Sequence, residues 1–547
     1  MDTKRLILFV IFSFSILMLW ESWQRERLPE PQQVAASQPR DASVPQAVTS
    51  QAGAQNELPA ETGFKLESDK RVKVETDLFK AEIDTMGGDL RRLELKKHRA
   101  ANTTKQDFVL MEDQPGAMVY VAQSGLIGNN LPNHKKLFTA SADSYQLKQG
   151  QDWVEVRLSW TGQDGVQVDK VYTFHRGSYV IDLAYQIRNN SNQALHPSVY
   201  YQIVHDSESQ QGPRMMPTFT GGAYFTQESK YTKIPFKTMA KENLLRDTRD
   251  GWIGLVQHYF VSAWIPKEGL PRVFYTRKLS DNIYSIGTKS ALGSIAPGTN
   301  YNIEARLYAG PQTQKILKAT APGLEYTVDY GWLTIIATPL FWILSSIEKL
   351  VHNWGVAIIL LTVLIKLAFY PLSATSYRSM AHMRELAPRL QRMKEQYGDD
   401  RQKFQQAMIE LYRKEKINPM GGCLPIVVQI PVFIALYWVL LGSIELRHAP
   451  FMLWINDLSA PDPYYVLPIL MGITMIVQTR LNPTPPDPVQ AKVMMIMPVV
   501  FSVFFFFFPA GLVLYWLVNN ILSISQQWYV NRSIAEAAAR KKGHAAR

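Results

Sequence analysis

After residue 330 the chain contains six uncharged or nearly uncharged runs, Gly331–Ile347, Gly355–Ser373, Gly421–Ser443, Tyr464–Thr479, Val493–Phe508 and Leu512–Asn531. Lys366 is the single charged residue inside them. A charge in the middle of an apolar helix costs about 2.5–3.5 kcal/mol on insertion scales unless it meets water or a partner. No Asp or Glu lies in the same runs to pair with it. Two arrangements satisfy Lys366: its stem snorkels to an interface near Ser373, or its ammonium points into a hydrated cavity. Thr362, one turn earlier on the same helical face, favours the cavity. Asn519, Ser523, Gln526 and Gln527 recur at helical spacing in the last run, and Gln429 and Gln478 add amides in two others. Interhelical hydrogen bonds, worth about 0.6 kcal/mol each in membranes, account for these residues one by one. A wet cationic pocket accounts for all of them together.

Residues of catalytic type are scarce in useful patterns. The sequence has no G-x-x-x-x-G-K-[ST] phosphate loop, no H-E-x-x-H and no G-x-S-x-G. Ser346 and Lys349 fit S-x-x-K, a pattern short enough to arise by chance. A single cysteine, Cys423, excludes an intramolecular disulfide framework and any multi-cysteine metal site. The expectation is a protein without catalytic residues, metal or cofactor.

The elements that must position Lys366 follow from composition. The 547 residues carry a net charge of +11. Residues 1–329 account for +3 of it and residues 330–547 for +8, although the second part has fewer charges. Residues 1–27 read as an uncleaved apolar anchor, with Lys4 and Arg5 before an uncharged run to Trp20 and no small-x-small cleavage site. Residues 28–63, rich in Pro, Gln, Ala and Ser, read as a flexible linker. Residues 64–325 alternate with period two, as in 153–158, 168–174 and 179–185, with turn signals at 162–165, 175–178 and 189–191. They predict a large all-β sandwich. Residues 376–418 predict a helical hairpin. Met383, Leu386, Leu390, Met393 and Tyr397 form a seam on one helix, and Phe404, Met408 and Leu411 continue it on the other, with Pro388 expected to kink the first.

Charge placement predicts orientation. The 376–418 loop carries ten Lys/Arg and the 532–547 tail five, whereas the 443–463 loop has only Arg447. Short basic loops stay in the cytoplasm. The predicted class is therefore an α-helical polytopic membrane protein with six transmembrane helices, cytoplasmic termini and one large external β domain. In this reading 326–352 is an interfacial amphipathic helix anchored by Trp332 and Trp342, 353–375 is the second transmembrane helix, and 419–531 holds helices three to six. The basic hairpin is either a solvated loop that sets topology or a docking surface for ribosomal RNA or anionic lipid.

Several motifs resemble a known family. Asn418-Pro419-Met420-Gly421-Gly422-Cys423-Leu424-Pro425, followed by Gln429-Ile430-Pro431-Val432-Phe433, resembles the third span of YidC-type membrane protein insertases. So do Tyr370-Pro371-Leu372, Gly398-Asp399-Asp400, Asp457-Leu458-Ser459 and Pro509 to Tyr515. The resemblance covers essentially the whole chain, and its long external domain is similar to the Gram-negative form. It implies a periplasmic β-supersandwich of the kind seen in sugar-binding folds, and a groove in the inner leaflet with a cation at its centre. That cation is usually arginine in the family, and Lys366 stands there. Charge is kept while bidentate geometry is lost. Trp516 stands where a second tyrosine after Tyr515 is common. The implied groove residues are Lys366, Thr362, Gln429, Tyr515, Trp516, Asn519 and Ser523. The implied apolar slide for a client helix comprises Leu424, Pro425, Val428, Pro431, Pro498, Val503 and Phe506.

The resemblance also implies partners: nascent membrane proteins, the ribosome, the Sec translocon with its accessory subunits, and membrane lipids, with no role for DNA. Two other readings compete. A small-molecule or lipid transporter would use Lys366 for an anion, but inverted repeats and coupling carboxylates are absent from the sequence. A membrane-anchored periplasmic glycan enzyme would need convergent carboxylates on the β domain.

Overall fold

The computed structural model describes residues 64, 66–100, 103–114, 118–208, 218–397, 400–415, 424–482 and 488–545. The expected anchor (1–27) and linker (28–63) lie outside the described residues. The chain divides into two units, with the division between Val328 and Asp329.

The first unit is built from a ten-stranded and a nine-stranded sheet. Strands Trp153–Thr161 and Val166–His175 pair antiparallel over their whole lengths, and Val180–Asn189 pairs with the second of them. Gly165 closes the first of these hairpins at φ +86°, a conformation that strains any residue with a Cβ. Along Val180–Asn189 burial alternates, as period two requires for a strand with one solvated face. Ser198–Asp206, Trp252–Gln257 and Phe260–Pro266 are buried on both faces, and the alternation disappears there. The sheets face each other across a core that is partly polar. Tyr120 donates to Ser262 Oγ (2.7 Å), Trp264 Nε1 donates to the Gln202 carbonyl (3.1 Å), and Ser124 and Tyr185 share a hydrogen bond of 2.9 Å.

The second unit is helical. Its main helices are α1 (Thr334–Val351), α2 (Trp354–Ala368), α3 (Tyr370–Tyr397), α4 (Arg401–Lys414), α5 (Leu424–Gly442), α6 (Val466–Leu481), α7 (Pro488–Phe504) and α8 (Ala510–Ala545). Helix α8 is the hub and packs on α2, α3, α5 and α6. Gly472 lets α6 approach α7, since a Cβ there would sit 2.5 Å from Ser502 Oγ.

Two helix boundaries differ from the expected domain boundaries. The run 353–375 is not one straight helix: α2 ends at Ala368 and meets α3 at 67°. Pro371 explains the break, because it has no N–H for the Leu367 carbonyl and its ring clashes with a continuing turn. The basic tail is not separate from the last span, since α8 runs unbroken to Ala545. Its extension is rich in Ala, Arg and Lys, all strong helix formers, and Arg532 pairs with Glu536 one turn on (2.8 Å).

Helices α3 and α4 form the hairpin, with Leu386 and Leu390 buried in its seam and Arg389 bridging to Glu415 (2.8 Å). Helix α3 runs through Pro388 as a single element. Among the described residues one segment, Gly331–Val351, is by itself long and apolar enough to cross a bilayer, and the bent pair α2–α3 passes the same test jointly. Shorter apolar stretches are Val428–Gly442, Val466–Leu481 and Ala491–Phe507, so helix length does not establish the expected six crossings. Helix α1 buries Ala337, Leu340 and Leu344 and exposes Ile335 and Trp342.

A candidate cationic groove between α2, α5 and α8

Lys366 lies in the last turn of α2, half-buried, and its side chain crosses to α8. Its Nζ donates to Ser523 Oγ at 2.7 Å, and Ser523 Oγ donates to the Asn519 carbonyl at 2.7 Å. Asn519 Oδ1 accepts from Gln429 Nε2 of α5 at 3.2 Å. Four of the sequence-predicted groove residues thus form one polar line across three helices. Among the described residues no carboxylate reaches Lys366.

Thr362 is buried, and its hydroxyl donates to the Ile358 carbonyl of its own helix (2.6 Å). Tyr515 is buried, with its ring stacked 6.0 Å from Phe433. Trp516 lies between Phe433 (4.6 Å) and Phe505 (5.7 Å), and its buried indole N–H has no hydrogen-bond partner. It therefore joins α5 to the turn that follows α7. Phe433 belongs to the third-span motif but is not among the expected groove residues, and Phe505 sits in a uniformly apolar run that carries no local signal.

The residues expected to form a slide divide. Leu424 and Pro425 open α5. Val428 and Val503 are exposed, and Pro431 is half-buried. Phe506 is half-buried with its ring 5.1 Å from Tyr465. Pro498 is buried, so it does not belong to an outward surface. Helix α7 instead presents Met495, Val499 and Val500, and the turn after it Phe507, each at least half exposed.

Gln526 and Gln527, for which the sequence leaves interhelical hydrogen bonds and a cavity lining both open, tie helix ends together. Gln526 Nε2 donates to the Tyr370 carbonyl at the α2–α3 break (3.4 Å), and Gln527 Nε2 donates to Leu481 O (3.3 Å) and Asn482 Oδ1 (3.2 Å) at the end of α6.

The arrangement places an ammonium that has, among the described residues, one hydrogen-bond partner in a helical unit whose α5 and α7 expose apolar side chains. Comparison with known proteins gives this geometry its context. The family described as YidC periplasmic domain matches residues 71–343, and that described as 60Kd inner membrane protein matches 346–537. A membrane protein insertase YidC of Methylobacillus flagellatus is 71% identical over 552 residues, spanning all of both chains. One of Nitrosospira multiformis is 51% identical over 561 residues and 98% of each chain. A solved structure titled as an active YidC insertase with its first transmembrane domain resolved aligns at 18% identity and TM-score 0.40, over 85% of this chain and 93% of that one. With identity this high over the whole length, and with two family descriptions that match residues 71–343 and 346–537, the chain belongs to the YidC family of membrane protein insertases.

Proposed function

We propose that the chain inserts client proteins into the bacterial inner membrane through a hydrated groove centred on Lys366, alone or beside a Sec translocon. The observation that carries this reading is the state of Lys366: an ammonium among helices, held by one hydroxyl and faced by no described carboxylate. An acidic, unfolded client segment would be drawn to it. The client's apolar segment would then leave along the exposed surface of α5 and α7. Transfer of about 20 apolar residues from water to lipid supplies the driving force, so no nucleotide is required. The reading has no catalytic step.

The same proposal places six crossings in the membrane, both termini and the α3–α4 hairpin in the cytoplasm, and the β unit in the periplasm. Helix α1 lies along the outer interface, where Trp332 and Trp342 are exposed for anchoring. The ten cations between 376 and 418 suit a ribosome or an anionic lipid surface. Photo-crosslinkers at positions 362, 366, 429 and 516 should capture stalled nascent chains. Capture confined to small solutes would favour a transporter and end this reading.

A further inference from the structure

Outside the groove, the helical unit opens a second cavity where the hairpin meets the last helix. Helices α3 and α8 touch through a buried cluster of Ala374, Tyr377 and Val530, against which Met380 and Ile534 pack. Beside that cluster lies a cavity of about 240 Å³. This is several times the roughly 30 Å³ that one water occupies in the liquid. Met380, Arg384 and Glu385 of α3 line one side of it. Gln527, Asn531 and Ile534, which share one face of α8, line the other. Leu481 adds the C-terminal end of α6.

The polar groups around this cavity carry both signs and are incompletely used. Arg384 and Glu385 are exposed. Among the described residues Arg384 and Asn531 have no hydrogen-bond or ion-pair partner, and Glu385 has His382 of its own helix at 3.6 Å. Gln527 is buried. Its Nε2 is committed to Leu481 O and Asn482 Oδ1, while its Oε1 is buried and accepts from nothing. A buried acceptor left empty is costly, so this oxygen lacks a donor. The lining thus combines one cation, one anion and one unfilled acceptor with the apolar side chains of Met380, Leu481 and Ile534.

We propose that this cavity binds the phosphoethanolamine headgroup of a membrane phospholipid. The phosphate meets the Arg384 guanidinium, whose planar fork suits phosphate oxygens, and the Asn531 amide. The primary ammonium faces Glu385 and supplies the N–H that Gln527 Oε1 lacks. A zwitterion matches the paired signs of Arg384 and Glu385, whereas an anionic headgroup would set its phosphate against Glu385 with no ammonium between them. Met380, Leu481 and Ile534 suit the glycerol and first acyl carbons, which a soluble headgroup does not have. The inference rests on the reading of α6 as a membrane crossing, since its apolar stretch then ends, at Leu481, level with the headgroups. Lys366 and the client path play no part in it. A lipid held there bridges the hairpin to α8.

The test titrates the full-length chain in detergent with dioleoyl phosphatidylethanolamine, phosphatidylcholine or phosphatidylglycerol and counts retained lipids by native mass spectrometry. One phosphatidylethanolamine should be held about fivefold more tightly than phosphatidylcholine, whose trimethylammonium has the charge but no N–H to donate. Arg384→Ala should weaken phosphatidylethanolamine about fivefold through loss of the phosphate contact. Glu385→Gln should weaken it about threefold and strengthen phosphatidylglycerol, an inversion that a merely structural role would not produce. Both side chains are exposed, so neither change removes packing. Equal retention of the three lipids, or retention that neither variant alters, would overturn the proposal and leave the cavity to water. Displacement of the lipid by an equal concentration of free phosphoethanolamine would assign the cavity to a soluble ligand and overturn it too. A cysteine at Ser533→Cys, on a Cys423→Ser background, tests the level of α6. If an impermeant maleimide reaches it from neither face of sealed vesicles, the crossing reading fails and this one with it. If it is reached while the variants leave lipid retention unchanged, the lipid site alone fails.

Discussion

Each unit keeps a lysine away from bulk water, and the two are held in opposite ways. In the β unit, Lys170 is fully buried. Its Nζ donates to the carbonyls of Gly87 (2.9 Å) and Ser124 (3.2 Å) and lies 3.7 Å from Asp89. The rings of Tyr172 and Tyr185 flank it at 5.7 Å. Asp89 in turn accepts from Gln123 (2.9 Å) and faces Arg91 at 3.5 Å. Burial pushes the Lys170 ammonium down to about 8, even with Asp89 opposing the shift. In the helical unit, Lys366 has one hydroxyl and, among the described residues, no counter-charge. A cation held by two carbonyls and faced by a buried carboxylate is part of the architecture. One with donors left over is, on the proposed reading, placed to meet a client that is not part of the chain.

The largest expected effect would break the closed site. Lys170→Met leaves Asp89 buried beside Arg91 alone, and removing one partner of a buried pair should cost about 3 kcal/mol. Hydrogen exchange of the strand Ser198–Asp206 in the full-length protein should then lose about a hundredfold in protection. Unchanged protection would mean that the network is not what holds the sheets together.

Lys366→Met is the counterpart and should separate stability from activity. It removes a charge that costs energy to place among helices, so the thermal midpoint in detergent should stay level or rise. Insertion of acidic-tailed clients into proteoliposomes should nevertheless fall about tenfold, the worth of one charge-assisted hydrogen bond. A large loss of stability would put Lys366 in the same class as Lys170 and erase the contrast.

How far these features were legible depends on whether their causes are local. Strands such as Val180–Asn189 have one solvated face, and their alternation is written in the sequence. Ser198–Asp206 is buried on both faces and carries no such pattern, so the extent of the two sheets could not be read. Lys366, Ser523, Asn519 and Gln429 stood out because polar residues are rare in uncharged runs. Their pairing could not be read, since Lys366 and Ser523 are 157 positions apart. Thr362 has the spacing of a groove residue, yet its hydroxyl serves the Ile358 carbonyl, as threonines in helices often do. Pro371 was a local signal for the break after α2, outweighed by the long apolar run around it.

A carboxylate extends the comparison to the opposite charge, with a smaller effect. Glu445 lies in the short 3-10 turn Ile444–Leu446 after α5, and burial pushes it up to about 7. Among the described residues no cation pairs with it, while its loop neighbours His448 and Asp457 pair with each other at 3.2 Å. Its folded-state value lies above the ordinary 4.5, so the folded protein holds this proton more tightly than the unfolded chain. The stabilisation is complete below about pH 4.5 and is lost as pH rises through about 7. Thermal unfolding followed at pH 5 and pH 8 should show the helical unit less stable at the higher pH by about 2 kcal/mol, after allowance for partial exposure. Glu445→Gln should flatten that dependence, because the amide stays neutral throughout and the His448–Asp457 pair is left in place. If the variant keeps the full pH slope, the slope belongs to another group. Glu445 would then already be satisfied, closed like Lys170 rather than open like Lys366.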